Sequence, residues 1–428
     1  MKIHKINNIS FYIVLFLTFL GFYSVLLIGI NFGLSELSRL LTIPMRMLIG
    51  LGCAIIFIFN IKKKASHLKY FLFFALIYLI RIFIDILYDE YFYISYTELI
   101  FYFISFCVIP FVCLSKFDFS KIDFQKLYIV FLVSALIFSS LAVIFYGRFL
   151  GTVQRLSPNI VGEDVISPLT LSYSSSLIIG VTLVYNIYNK ASSRIKILSY
   201  LALILSVLPF FLGASRGGII ALFIPFLFIS ILQLSVKNFL KYFALFILLI
   251  AGLIFLDDYF QSGLLNRFFS TSEAIESGGS SAIRLLMWKT SITQFFNNPF
   301  FGDKLNTEYF NHYPHNIFIE VLQTTGLIGF IPFLILTLKG IIVSMRIFKH
   351  IPQYSWIAFI FLQSLIQYMF SGALYSAAWF WTSLSIILSL NLFLVKKYTS
   401  YQNTFFKKVL LEFMKNKPDV LIKDDVQL

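Results

Sequence analysis

The chain has 428 residues, of which 59% are hydrophobic, 19% aromatic and 13% charged, far more apolar surface than a soluble core of this length can bury. It reads as an integral membrane protein. The net charge of +14 would suit nucleic acid, but the cations sit in segments between apolar runs and mostly on one side of them, which excludes that partner.

Apolar runs close to twenty residues long recur along the chain, enough at ~1.5 Å per residue to cross a hydrocarbon layer of about 30 Å. They predict an all-α polytopic bundle of about twelve spans. In chain order these fall near 9–30, 41–60, 70–87, 96–115, 127–147, 169–188, 197–213, 218–234, 240–257, 315–338, 355–371 and 375–395. The first run has no small-residue cleavage site and reads as a helix that stays. Cys53, Cys107 and Cys113 all lie inside spans, two of them on one helix, so no disulfide framework follows. We read 1–428 as one membrane domain, with a long outer loop at 258–314 and a basic tail at 396–428.

With the N-terminus inside, the lysines near 2–5, 62–69, 116–126 and 190–196 fall on one side, with Arg194. So do Lys237, Lys241, Lys339, Arg346, Lys349 and the tail, which places both termini in the cytoplasm. The opposite side holds Arg39, Arg148, Arg155, Arg216, Arg267, Arg284, Lys289 and Lys304. Topology needs only charge, yet most of these are arginines, whose planar fork suits phosphate oxygens. The bias points to an anionic ligand outside.

Two outer connections are long, 148–168 and 258–314, and long loops in compact proteins are usually functional. The second carries a Ser277-Gly278-Gly279-Ser280-Ser281 hinge. Beyond it, Ala282 to Phe296 reads as a half-apolar helix lying on the outer membrane surface. Arg284 lies on that helix, four residues before Trp288. Arg216 sits in the tight turn Gly213-Ala214-Ser215-Arg216-Gly217-Gly218, where glycines would let backbone and guanidinium approach a ligand together.

Pro314 suits a first helical position, which puts His315 in the first turn of the span that follows. There the helix dipole would hold the imidazole neutral, a usable proton acceptor. Helical counting puts His315, Ile319, Leu322, Gly326 and Gly329 on one face, the glycines admitting a neighbouring helix. Two arginine forks beside a neutral base suit transfer from a pyrophosphate donor to a hydroxyl acceptor.

Ile283-Arg284, Trp288, Asn298-Pro299-Phe300-Phe301-Gly302, His315-Asn316, Gly326 and Gly329 together resemble the C-terminal signature of the O-antigen ligase and polymerase superfamily. Ser215-Arg216-Gly217 resembles its upstream arginine turn, so the likeness covers about 120 residues as two islands. The resemblance implies a bundle similar to C-type glycosyltransferases, located in the bacterial inner membrane. It also implies metal-free, cofactor-free action on undecaprenyl-pyrophosphate-linked oligosaccharide, with Arg216 and Arg284 gripping the pyrophosphate and His315 acting as base.

Arg81, one helical turn from Asp85 inside a span, either self-neutralises with it or lines an outer cavity. Arg148 and Arg155 would add phosphate or sugar contacts, and Trp288 and Asn316 complete the expected substrate-binding set. Glu163 and Asp164 read as loop solvation, or as ligands of sugar hydroxyls. Glu320 falls on the wrong face to serve His315 and stays unassigned. His312 and His315 lack the further ligands a metal site needs. The expected activity is repeat-unit polymerisation, with a ligase acting on lipid A-core, or a flippase of lipid-linked sugars, as alternatives. A chain-length regulator and a separate flippase are the expected partners.

Overall fold

The structure, a computed structural model, describes residues 2–33, 38–162, 164–232, 236–270 and 280–394. Glu163, residues 277–279 of the hinge and the tail at 396–428 lie outside the described residues. Within them the chain is helical, with one isolated bridge between Thr307 and His312.

Each of the twelve expected stretches is mostly helical where it is described. Among the described residues, eight helices are long and apolar enough to cross a membrane: His4–Asn31, Leu40–Asn60, Leu68–Leu87, Tyr96–Leu114, Phe124–Phe149, Pro168–Tyr188, Ser193–Gly213 and Ile317–His350. Arg216–Leu232 and Ala378–Leu394 are shorter apolar helices, and Val236–Phe260 and Ser355–Phe370 complete the set. The Pro168–Tyr188 helix is central: it packs on Ser193–Gly213, Arg216–Leu232 and Ser355–Phe370, and its middle is almost wholly buried. Ser and Gly residues along it keep the side chains small, so its neighbours can approach closely. A second core is aromatic. Phe71 stacks on Phe111 with ring centroids 3.8 Å apart, and Phe74, Phe333 and Trp381 close around them.

The 258–314 segment is not one loop. Val236–Phe260 runs into it, and it then forms a short helix, Leu264–Phe269, and a longer one, Ser280–Asn297. The longer helix buries Met287, Ser291 and Gln294 against Ile317–His350. It leaves Ile283, Leu285, Leu286, Ile292 and Phe296 exposed.

The Ile317–His350 helix departs from expectation at both ends and in the middle. It starts at Ile317, not Pro314, because the Asn316 side chain caps it by accepting hydrogen bonds from the Phe318 and Ile319 N–H groups. It runs past 338 because Lys339 lays its ammonium over the Tyr70 ring, 4.4 Å from the centroid, while Val343, Ile347 and Phe348 stay buried. In between it is broken at Gly326, whose backbone (φ 56°, ψ −160°) is far from helical.

The break is filled by the Asn298-Pro299-Phe300-Phe301-Gly302 turn. Leu327 N–H donates to the Pro299 carbonyl at 2.8 Å and Ile328 N–H to the Phe300 carbonyl at 3.2 Å, while Asp303 N–H reaches the Gln323 carbonyl at 2.6 Å. The groups lost to the helix are thereby paired again, as a low-dielectric setting demands. A side chain at Gly326 would lie 2.5 Å from Gly302 N and from the Phe300 carbonyl, and one at Gly302 would meet Thr324 and Thr325 backbone. Gly326 therefore admits a loop, not the neighbouring helix its spacing suggested, and the face drawn from His315 to Gly329 does not exist.

Replacing Gly326 with Ala should cost on the order of 2–4 kcal/mol, from left-handed backbone strain plus the clash with the turn. Heated, detergent-solubilised protein should lose its monodisperse peak several degrees earlier. Gly50→Ala, a helical site with nothing within 4 Å, is the control and should not move it.

Candidate functional site

The broken helix places the loop that follows Asn297, and side chains fasten that loop in turn. Gln294 donates to Asp303 at 2.9 Å and accepts from the Glu308 N–H at 3.0 Å. Gln323 donates to the Asn306 carbonyl at 2.7 Å, and Ser291 bonds Thr307 at 3.0 Å. Asp85, inside the Leu68–Leu87 helix, accepts the Leu305 N–H at 2.7 Å. Arg81 pairs with the same carboxylate at 2.7 Å, so the Arg81–Asp85 pair holds the loop from below. That is the self-neutralising reading, with a tether added.

Four arginines meet above this scaffold, each from a separate segment. Leu156 N–H donates to the Leu212 carbonyl at 2.8 Å, which lays the 148–167 connection over the end of the Ser193–Gly213 helix and brings in Arg155. Arg216 opens its helix, and its Nη1 donates to Ser281 Oγ at 2.8 Å. Arg284 Nη1 donates to the Phe370 carbonyl at 3.1 Å. Arg267 rides on the Leu264–Phe269 helix, whose first N–H groups, those of Leu264 and Leu265, are held by the Asp257 carboxylate at 2.9 and 3.0 Å. Burial, followed by the charges of Arg267, Arg284 and Arg216, pushes Arg155 down to about 10. Burial and then Arg216 lower Arg267 as well. Each of the four thus lies within electrostatic range of at least one other, an arrangement that suits an anion.

The glycines of the Gly213–Gly218 turn have a different use from the one expected. A side chain at Gly213 would strike the Pro168 carbonyl and Ser172, one at Gly217 the Tyr173 hydroxyl, and one at Gly218 the Ser172 hydroxyl. They make room for the Pro168–Tyr188 helix, and Ala214 at φ 36° turns the chain between the two spans.

His315 stands outside the helix, at φ 58°, one residue before the cap. Trp288 Nε1 donates to the Pro314 carbonyl at 2.7 Å and fixes the approach to it. The ring lies 4.5 Å from Tyr313 and 5.0 Å from His312, which stacks at 4.2 Å on Tyr93. The Tyr93 and Tyr375 hydroxyls are hydrogen-bonded to each other. His315 Nδ1 is buried with no hydrogen-bond partner among the described residues. Burial, then Arg284, then His312 push His315 down to about 3, so the ring is neutral at any ordinary pH. Neutrality was expected from the helix dipole; desolvation and the neighbouring cation supply it.

Of the expected site residues, Arg155, Arg216, Arg284 and His315 converge. Arg148 is exposed, its guanidinium 4.7 Å over the Phe149 ring. Trp288 and Asn316 are engaged with backbone, so they position His315 and its helix. Arg267 was legible only as one of the outer arginines, because nothing near it in sequence marks it out. Glu320, left unassigned, is buried and accepts the Leu374 N–H with both oxygens at 3.1 and 3.0 Å, fixing the turn after Phe370.

Residues 201–334 match the family model described as O-Antigen ligase. That span takes in the arginine turn, the loop helix, the Asn-Pro-Phe-Phe-Gly turn and His315, and it supports the resemblance drawn from the sequence. No curated protein and no solved structure matches the chain. The apolar helices mark a multi-pass membrane protein, and the match covers under a third of its length.

Removing the repelling cation beside His315 should raise its pKa, since the charged ring is then less disfavoured. In protein with ring-15N histidine, His315 should stay neutral down to about pH 4, and in Arg284→Gln it should begin to protonate at higher pH. A wild-type His315 resonance titrating near the ordinary histidine value would remove the neutral-base assignment.

Proposed function

We propose that this protein is a surface-polysaccharide repeat-unit polymerase, transferring a growing undecaprenyl-pyrophosphate-linked glycan onto a new lipid-linked repeat unit on the periplasmic side of the inner membrane. The observation that carries the reading is the convergence of Arg155, Arg216, Arg267 and Arg284 on the neighbourhood of a neutral His315. In this reading the arginines hold the donor pyrophosphate, and their fixed forks stabilise the charge that grows on it as the bond to the sugar breaks. The acceptor hydroxyl oxygen bonds to the anomeric carbon, its proton passes to His315, and lipid pyrophosphate leaves. A buried imidazole this weakly basic in the free protein gains basicity when the anionic donor offsets the arginine field, so proton acceptance is coupled to donor binding.

The matched model's description favours a second reading, a ligase with the same donor and a lipid A-core acceptor. The donor side of the site serves either. The acceptor decides, and a cell lacking this protein separates the two. Loss of a polymerase leaves core glycolipid carrying a single repeat unit, with the ladder of longer chains absent. Loss of a ligase leaves bare core, with long polymer stranded outside on the lipid carrier. We expect the single repeat unit; bare core with outward-facing polymer would move the assignment to ligase.

Arginine geometry gives a further test. Arg216→Lys and Arg284→Lys keep charge but lose the fork, so transfer by each should fall roughly 100-fold, nearly as far as with Ala. Arg148→Ala, outside the cluster, should stay within about twofold of wild type. Full-length polymer from both Lys variants at normal protein levels would sink the forked-ligand assignment.

A further inference from the structure

A cavity of about 390 Å³ lies beside the arginine cluster, in the half of the bundle that charge placement assigns to the outside. Residues of the first, second and fourth spans wall it, together with the start of Pro168–Tyr188 and the 367–379 turn. Two of its walls belong also to the site. Tyr173 lines the cavity while its hydroxyl lies against Gly217, next to Arg216. Tyr375 lines it and packs on Tyr313, the neighbour of His315, with centroids 6.2 Å apart.

The lining is unlike that of a lipid pocket. Thr18 and Ser174 are more than nine-tenths buried, and their hydroxyls have no hydrogen-bond partner among the described residues; Arg46 Nε and Gln367 Oε1, on half-buried residues, have none among them either. All four residues line this one cavity. Inside a membrane bundle such groups are costly unless a ligand meets them, and a hydrocarbon tail would meet none. Between them stand flat faces, Tyr23, Tyr102 and Trp379, which suit the apolar faces of sugar rings. The Arg46 guanidinium lies 4.5 Å over the Tyr102 and Phe106 rings, and Glu98 accepts the Tyr102 hydroxyl.

We propose that this cavity receives the saccharide end of the acceptor. Sugar hydroxyls bond to Thr18, Ser174 and Gln367, ring faces stack on the aromatic walls, and Arg46 accommodates an acidic substituent where the sugar carries one. The word acceptor rests on the transfer reading above; the saccharide site does not. In this arrangement Tyr173 and Tyr375 separate the two substrates, donor pyrophosphate on the arginine side and acceptor sugar on the other. The hydroxyl to be glycosylated is presented near His315.

The test uses the full-length protein in nanodiscs and, as probe, repeat-unit oligosaccharide freed of its lipid pyrophosphate by mild acid. Calorimetry should show binding that Thr18→Val and Ser174→Ala each weaken roughly tenfold, the loss of one buried hydrogen bond, while Arg216→Lys binds as wild type does. A second variant removes none of these groups: Ser105→Cys places a thiol on the cavity wall, and the three native cysteines are buried. Maleimide labelling of that thiol should be slowed by the probe. Absence of binding, binding unchanged in both cavity variants, labelling that the probe does not slow, or displacement of the probe by a polyprenyl phosphate would each overturn the saccharide site. Probe binding as described, in a protein whose loss leaves surface glycans unchanged, would retain the site and remove the transfer reading. A lone repeat unit in the deletion strain without probe binding would do the reverse.

Discussion

Two glycine backbones set against each other hold together the end of the bundle that carries the arginines. At Gly302 and Gly326 no side chain fits, and the contact is possible only because the Ile317–His350 helix opens there and gives its unpaired N–H and C=O groups to the incoming turn. A break inside a membrane helix is normally expensive. Here the turn pairs the Leu327 and Ile328 N–H groups and the Gln323 carbonyl again, which lowers that cost, and the remaining strain falls on a residue that tolerates it. The Ser280–Asn297 helix then has a fixed end, from which Arg284 and Trp288 take their positions, and the chain returns to the helix start through His315.

Electrostatics on that scaffold work against local stability. Four guanidinium groups from four segments are gathered where water is scarce, and a histidine beside them is held neutral by burial and by their charge. Like charges so placed repel one another, and the arrangement stands because each segment is fastened elsewhere. Asp257 holds the helix of Arg267, Leu212 holds the connection of Arg155, Ser281 and Phe370 orient the forks of Arg216 and Arg284, and Glu320 fixes the turn that supplies Phe370. An anion would relieve that repulsion, and the proposed donor would supply one.

The same division of labour explains the polar residues buried away from the arginines. Asp85 and Arg81 are spent on loop placement, Asn316 on a helix cap and Trp288 on one carbonyl. Each of these contacts decides where a neighbouring segment stands. The cavity lined by Thr18, Arg46, Ser174 and Gln367 is the contrasting case, because there Thr18 Oγ1, Arg46 Nε, Ser174 Oγ and Gln367 Oε1 have no partner among the described residues.

Composition and hydropathy by themselves determined that this chain is helical and membrane-embedded and where nearly every helix runs, because burial in hydrocarbon leaves a continuous apolar segment no other economical form. Residue type and sidedness also exposed the outer arginine bias, Arg216 and Arg284 within it, since charge near a membrane is rare enough to be informative; His315 was singled out by the Pro314 helix entry and by the family resemblance. Tertiary structure alone decided what the short-range signals were for. Pro314 looked like a helix start, but Asn316 offers a better cap, and His315 was left outside. Gly326 fitted a helix-packing face, and the Gly213–Gly218 turn fitted ligand approach. Which backbone comes to lie against a glycine depends on segments far away in sequence. Arg155 and Arg267 joined the site, and Arg148 stayed out, through a single backbone hydrogen bond to Leu212 and one carboxylate at Asp257. Periodicity reports which face of a helix is apolar; it carries no record of what a distant loop will place against that face, and that is the information on which the site depends.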